Sequence, residues 1–204
     1  MRPQRPRHQE MQNIIREAKR ALRIQVSAGL KRMGPGERAA ASARARALLA
    51  AQPLWKTAQW VLFFAPLPEE LDVWPLLTEA LAAGKKIGLP RFVAEDSTYE
   101  ACQIQDPKSD LRVGHFGIRE PASRCAPLPS TRLDLILVPG VALDLRGRRL
   151  GRGKGYYDQL LVELRGTTCG VAFDEQIVEE IPVAPHDVHL DCILTPTRWV
   201  DLKP

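Results

Sequence analysis

A stretch rich in glycine and basic residues, 147–161 (GRRLGRGKGYYDQLL), carries the side chains best suited to chemistry in this chain. It follows an apolar run, LDLILVPGVAL, that is typical of a buried strand, and a helix is predicted to begin near Tyr156. Glycine lets backbone N–H groups approach a ligand, and the amino terminus of a helix favours anions. Because Arg149, Arg152 and Lys154 add positive charge, the stretch predicts a loop that holds phosphate groups.

The spacing of the glycines excludes two common phosphate loops. A P-loop requires G-x-x-x-x-G-K-[ST], but Arg148 stands five residues before Gly153, and Gly155 follows Lys154 where serine or threonine is needed. A dinucleotide fingerprint requires G-x-G-x-x-G, whereas Gly151, Gly153 and Gly155 alternate. An exposed glycine-rich hairpin with solvated basic residues is the structural alternative to a phosphate loop.

The composition indicates an ordinary globular protein. A chain of 204 residues can bury a substantial core within one domain. It has no apolar run near the ~20 residues that span a bilayer, and its first residues lack the apolar stretch of a secretory signal. We therefore expect a soluble cytoplasmic protein with no membrane partner. The four cysteines are far apart and include no C-x-x-C pair, so they indicate reduced thiols rather than a zinc site or disulfide framework.

Positive charge is concentrated at the start of the chain. The formal net charge is +5, but residues 1–46 alone contain 12 lysines and arginines and only 3 acidic residues. Such an excess leaves an RNA-binding module as one alternative, with Tyr156 and Tyr157 stacking on bases. No RNP or KH signature is present and aromatic residues are only 6% of the chain. We therefore favour a solvated tail and a basic helix face, with no nucleic-acid partner.

Apolar periodicity divides the chain into a basic tail, 1–9, expected to be disordered, and a single domain, 10–204. A helix is predicted over about 10–33, Gly34-Pro35-Gly36 ends it, and a second helix follows over about 37–51. Six strand-like runs then alternate with two helical ones: QWVLFFAP, KKIGLPRF, TYEACQI, LDLILVPG, TTCGVAF and LDCILTPT, with VWPLLTEALAAG and YYDQLLVELR. This alternation predicts an α/β fold of helices layered around a mainly parallel central sheet, Rossmann-like in the broad sense.

Several segments together resemble the 5-formyltetrahydrofolate cyclo-ligase family, also called methenyltetrahydrofolate synthetases. VPGVALD followed by RGRRLGRGKGYYDQLL carries the family's signature, and AKRALR (18–23), PEELD (68–72), FGIREP (116–121), GVAFDEQ and PVAPHDVHLDCILTP support it. The resemblance extends over about 18–196 and implies a NagB/RpiA-like fold. It also implies an ATP- and Mg²⁺-dependent reaction: the formyl oxygen on folate N5 is phosphorylated, N10 attacks the activated carbon, and phosphate leaves to give 5,10-methenyltetrahydrofolate and ADP. We expect small-molecule substrates and a monomeric enzyme.

The same resemblance implies a role for each of three groups of residues. ATP is assigned to Lys19, Arg20, Arg23, Arg149, Leu150, Gly151, Arg152, Gly153, Lys154, Gly155, Tyr156 and Tyr157. The folate substrate is assigned to Ala65, Glu70, Phe116, Arg152, Gly153, Lys154, Gly155 and Tyr156. Mg²⁺ is assigned to Asp158 and Asp187, and catalysis to Arg149, Lys154 and Tyr156.

Simpler interpretations exist for several of these residues when they are taken alone. Lys19 and Arg23 share a helix face that is usually only solvated, and Asp158 could serve only the helix dipole. Phe116 fits a core position in a turn. We expect Lys19, Arg23 and Arg149 to be exposed charges whose loss leaves folding nearly intact. Another ATP-dependent small-molecule kinase or ligase on the same scaffold is a further alternative.

Overall fold

The computed structural model describes residues 5–115, 117–184 and 187–203. Its α-helices are α1 (Arg5–Leu30), α2 (Pro35–Ala51), α3 (Pro53–Thr57), α4 (Trp74–Ala82) and α5 (Tyr156–Glu163). Its strands are β1 (Trp60–Leu62), β2 (Lys86–Val93), β3 (Thr98–Ile104), β4 (Leu111–Val113), β5 (Arg119–Pro121), β6 (Leu135–Pro139), β7 (Ala142–Asp144), β8 (Arg149–Leu150), β9 (Thr167–Val171), β10 (Ile177–Val178), β11 (Cys192–Leu194) and β12 (Trp199–Asp201). Short 3₁₀ turns cover Ser130–Arg132 and Asp174–Gln176. In the described part of the chain, no helix is both long and apolar enough to cross a membrane.

A seven-stranded sheet forms the centre of the fold, in the order β12-β11-β9-β6-β1-β2-β3. The four inner pairings, from β11 through β9, β6 and β1 to β2, are all parallel. Only the two edge strands, β3 and β12, pair antiparallel. Each of the six strand-like runs contains a strand of this sheet, so the predicted α/β fold with a mainly parallel sheet is confirmed.

The sheet is buried on both faces, as a parallel sheet must be when its crossovers place helices on either side. Strand β6 shows the consequence: Leu135 and Leu137 enter one apolar cluster, while Ile136 and Val138 enter the other. All four side chains are almost completely buried. This explains why β6 is a continuous apolar run in the sequence rather than an alternating one.

The first helix differs from its prediction at both ends. It begins at Arg5, so residues 5–9 of the expected disordered tail are helical, and the first four residues lie outside the described part. It ends at Leu30 rather than near residue 33, because a tight turn precedes Pro35 at the start of α2. Val26 and Leu30 are buried and anchor the last turns of the helix to the core.

A buried aspartate shapes the chain between the central sheet and the glycine-rich stretch. After β6, the chain forms the hairpin β7–β8, and Asp144 at its turn is fully buried. One carboxylate oxygen of Asp144 accepts hydrogen bonds from the N–H groups of Arg146 and Arg148, and the other accepts one from Ile181. Since a buried carboxylate needs such partners, this network sets the point at which Arg149 begins the next strand.

Candidate functional site

A cleft of about 1170 Å³ is lined by α1, by the chain from β8 into α5, and by segments at or after several strands of the sheet. The predicted site residues that line it are Lys19, Arg23, Ala65, Glu70, Arg149, Leu150, Gly151, Arg152, Gly153, Lys154, Gly155, Tyr156, Tyr157, Asp158 and Asp187. Phe116 lies outside the described residues. Side chains that are far apart in the sequence therefore meet at one concavity.

Helix α1 presents one basic row to the cleft. Arg16, Lys19 and Arg23 line it, whereas Arg20 is exposed and is not among the lining residues. The reason is helical geometry, because consecutive residues are about 100° apart around the axis. The structure therefore does not bring Arg20 to the site. Arg16, which the sequence analysis did not single out, shares the spacing of the row and could have been found from it.

Two polar contacts hold α1 across the cleft. Lys19 Nζ lies 2.5 Å from Asp187 Oδ2, and each side chain is only 13% exposed. Arg23 Nε donates a hydrogen bond of 2.8 Å to the carbonyl oxygen of Gly151. Burial lowers the pKa of Arg23, although the nearby charge of Asp187 opposes this effect. The helix thus contributes cations that already have protein partners.

Arg149 is buried beneath the cleft wall, contrary to the expectation that it is an exposed loop charge. Its side chain is 3% exposed, and Nη2 lies 2.7 Å from Asp158 Oδ1. A Cβ atom at Gly151 would come within 2.8 Å of Arg149 Nη1. The absence of a side chain at Gly151 therefore lets the loop pass directly over the guanidinium group. For a charge buried in this way, we expect its loss to destabilise the fold rather than to leave folding nearly intact.

Arg152, also in the glycine-rich loop, forms ion pairs with two glutamates. Its Nη2 lies 3.0 Å from Glu69 Oε1 and 3.0 Å from Glu70 Oε1. Burial lowers the pKa of Arg152, but the two glutamates together outweigh burial and the pKa is raised. Glu70 is 12% exposed, and its second oxygen accepts a hydrogen bond from the N–H group of Leu67. Glu70, the carboxylate predicted to bind the folate, is thus held by one contact on each of its oxygens.

An aromatic wall faces the start of α5. Tyr156 packs against Phe92 and Tyr99, with ring centroids 5.4 and 5.6 Å apart. The ring centroids of Tyr157 and Tyr99 are 5.7 Å apart. Burial, together with the neighbouring carboxyl group of Glu120, raises the pKa of Tyr99 to about 12. Sequence reasoning missed Tyr99, although its pairing with Phe92 across β2 and β3 follows from the alternation of those strands.

The loop ends in a helix start that is open to a ligand. Gly155 precedes α5 with φ +74°, a left-handed conformation that favours glycine, and it provides no side-chain cap. Lys154 is exposed on the cleft and makes no ion pair with the described residues. The positive end of the helix dipole lies beside the ammonium group of Lys154, an arrangement that suits an anion.

The carboxylates of the cleft are compatible with magnesium only if a ligand completes the coordination. Asp158 and Asp187 both line the cleft, but within the described residues no three histidine, cysteine or acidic side chains form a metal-binding group. Mg²⁺ commonly binds one or two carboxylates together with phosphate oxygens and waters. The donor set therefore fits Mg²⁺ that arrives with a phosphate ligand.

Comparisons with known proteins agree with the signature. The model of the 5-formyltetrahydrofolate cyclo-ligase family matches residues 15–196. The 5-formyltetrahydrofolate cyclo-ligase of Mus musculus is 29% identical over 196 residues, which cover 88% of this chain and 94% of that protein. The one from Escherichia coli K12 is 34% identical over 145 residues, which cover 69% of this chain and 80% of that protein.

Two solved structures share the architecture. The NMR structure of 5,10-methenyltetrahydrofolate synthetase from Aquifex aeolicus matches with a TM-score of 0.82 at 34% identity, covering 91% of this chain and 93% of that one. The corresponding protein from Mycoplasma pneumoniae gives a TM-score of 0.70 at 21% identity, covering 87% of this chain and 98% of that one. The second likeness supports the fold alone.

Replacing Arg149 by methionine should destabilise the fold strongly, because Asp158 would be left without its cationic partner. We expect a loss of about 3–5 kcal/mol in the free energy of unfolding, measured by urea denaturation. Arg152→Met is the matched control, since the Arg152 side chain is 52% exposed, and it should cost less than about 1 kcal/mol. Equal, small losses in both variants would contradict the burial of Arg149.

Proposed function

Since the chain belongs to the 5-formyltetrahydrofolate cyclo-ligase family, it is a ligase that converts 5-formyltetrahydrofolate to 5,10-methenyltetrahydrofolate, and we propose that the cleft described above performs this reaction with ATP and Mg²⁺. The observation that carries the proposal is the meeting of the basic row of α1 with the glycine-rich loop on one cleft. The comparisons confirm the family and the conversion of 5-formyltetrahydrofolate to 5,10-methenyltetrahydrofolate that the resemblance implied.

The phosphate groups of ATP bind between α1 and the loop in this proposal. Lys19 and Arg23 approach from the helix, and Arg152 and Lys154 approach from the loop. Phosphoryl transfer requires alignment and charge neutralisation more than covalent help from the protein. Lys154 fits the transferring phosphoryl group best because it has no ion-pair partner among the described residues.

The folate ring binds against the aromatic wall. Tyr156 offers a flat apolar surface, and Ala65 lines the same cleft with a small side chain. Glu70 accepts N–H groups of the pterin through lone pairs that its contacts with Leu67 and Arg152 leave available. The reacting formyl group would then lie near the helix start at Gly155, where the phosphates bind. The aromatic residue Phe116 stays a prediction for this part of the site.

Asp158 and Asp187 would hold Mg²⁺ together with phosphate oxygens. The metal would supply neutralisation of the charge on the phosphates. The residues of the chain orient these two carboxylates: Arg149 binds Asp158, and Lys19 binds Asp187. The backbone N–H group of Ala184 also donates a hydrogen bond to Asp187, which restrains its oxygen at the cleft.

The proposal extends to the domain organisation, the oligomeric state, the location and the partners of the protein. We propose that residues 10–204 form one domain, because the sheet joins strands from β1 to β12 over a shared core. A cleft that encloses two small molecules requires no second copy of the chain, so we propose a cytoplasmic monomer. The row of α1 cations that faces the cleft, rather than an open surface, supports an enzyme without a nucleic-acid partner.

The direct test is the reaction itself. Purified protein supplied with ATP, Mg²⁺ and 5-formyltetrahydrofolate should form the methenyl product, followed by its ultraviolet absorption, together with ADP. Omission of ATP should abolish product formation. If ADP formed only with a different acceptor molecule, the protein would instead be another ATP-dependent kinase or ligase on this scaffold.

Loss of a phosphate contact on α1 should weaken the use of ATP. Lys19→Ala and Arg23→Ala should each raise the KM for ATP by roughly 10- to 150-fold, because a charge-assisted hydrogen bond contributes about 1.5–3 kcal/mol. Arg20→Ala is the matched control on the same helix, since Arg20 lies outside the cleft. Steady-state kinetics would contradict the assignment if all three variants kept the wild-type KM.

The metal assignment predicts a shared phenotype for two distant aspartates. Asp158→Asn and Asp187→Asn should both reduce turnover and shift the Mg²⁺ requirement to higher concentration, because an amide compensates the cation less well than a carboxylate. Glu69→Gln is a control outside the cleft lining and should keep the wild-type titration. Wild-type Mg²⁺ dependence in both asparagine variants would remove these residues from the metal site.

A further inference from the structure

Four carboxyl groups line the cleft, and three of them have cationic partners from the chain. Glu70 binds Arg152, Asp158 binds Arg149, and Asp187 binds Lys19. The fourth, Glu120 in β5, has no ion pair with a described lysine or arginine. A carboxylate paired with a cation is a weak base, so Glu120 differs from the others in the chemistry open to it.

Glu120 is enclosed where β5 meets the preceding loop. It is only 3% exposed, and its Oε1 atom has no hydrogen-bond partner among the described residues. The backbone N–H groups of Phe92 and His115 interact with the carboxylate. A Cβ atom at Gly114 would lie 2.1 Å from its Cδ atom, so the loop approaches it through a bare backbone.

The charged and titratable groups near Glu120 do not compensate its burial. Arg112 and His115 favour the charged form from β4 and the following loop, and Tyr99 faces Glu120 from β3. Burial is the largest effect, and the pKa of Glu120 is raised. A carboxyl group with a raised pKa is a stronger base than an ordinary carboxylate, which favours the acceptance of a proton.

The reaction requires a proton acceptor that the phosphate-binding residues do not supply. N10 of the substrate carries one hydrogen, and the product carries none at that atom. As the N10 lone pair forms the new bond to the formyl carbon, the N10–H proton must leave. The bond between that carbon and the phosphorylated oxygen then breaks, and phosphate departs with the electron pair.

We propose that Glu120 accepts the N10 proton during ring closure and passes it to the departing phosphate. The carboxylate becomes a carboxylic acid as the carbon–nitrogen bond forms. It returns to the carboxylate when phosphate, generated from ATP in the preceding step, takes the proton. Glu120 is therefore unchanged over one turnover, and the inference rests on the proposed function for its substrate and co-substrate.

The test separates phosphorylation of the formyl group from ring closure in a single turnover. In Glu120→Gln, ADP should form at a rate close to that of the wild type, because phosphorylation does not use this base. The methenyl product should form on the order of 10²–10⁴-fold more slowly, so that ADP exceeds the product at early times. The ratio of the two rates does not depend on how much of the variant is folded.

The pH dependence gives a second readout. In the wild type, the rate of ring closure should fall as the pH decreases through the raised pKa of Glu120, because the protonated carboxyl group cannot accept the N10 proton. Glu120→Gln should lack this acid limb, since the amide does not titrate. Glu120→Asp keeps a carboxyl group and should recover part of the rate and the acid limb.

Glu70→Gln is the matched control, because it changes a glutamate of the same cleft that is already ion-paired. It should raise the KM for the folate but leave ADP and product formation matched. If ADP and product fell together in Glu120→Gln, Glu120 would be a packing residue and the inference would be wrong. Failure of the wild type to form any methenyl product would overturn the proposed function and this inference with it.

Discussion

The buried ion pair between Arg149 and Asp158 is the constraint on which the cleft depends. It joins the start of β8 to the first turn of α5, so the two segments that flank the glycine-rich loop are attached to the same pair of charges. Burial of two charges is costly unless each finds good partners, and removal of one partner is worse than removal of both. The loop is consequently held at a fixed height above the guanidinium group, and Gly151 is required where the backbone crosses it.

Much of the fold could be predicted from the sequence, because local signals and tertiary packing agree there. The continuous apolar run of β6 predicts a strand buried on both faces, and the alternation of strands and helices predicts a parallel sheet. The start of α5 at Tyr156 also agrees with the prediction. The end of α1 differs by three residues from the predicted limit near 33, since a tight turn before Pro35 decides it rather than periodicity.

Less of the site could be predicted from the sequence. The burial of a charged side chain and its ion-pair partners depend on which distant segments of the chain meet. A basic loop predicts an exposed Arg149, but the network around Asp144 carries it into the interior. The family signature included Arg20, although Arg16, Lys19 and Arg23 are the described basic residues of α1 that line the cleft. Glu120 lies within the FGIREP segment, yet no local pattern shows that it forms no ion pair with a described lysine or arginine, unlike the other three carboxylates of the cleft.

The protein itself positions two of the cations that α1 contributes to the cleft. Lys19 and Arg23 are already engaged with Asp187 and with a backbone carbonyl before any ligand arrives. The ammonium group of Lys19 and the guanidinium group of Arg23 each have further N–H donors, so a phosphate group can bind beside the acceptor that each already has. Ligand binding therefore adds an anion to cations that the protein has already positioned, so less side-chain entropy is lost than if these side chains were free.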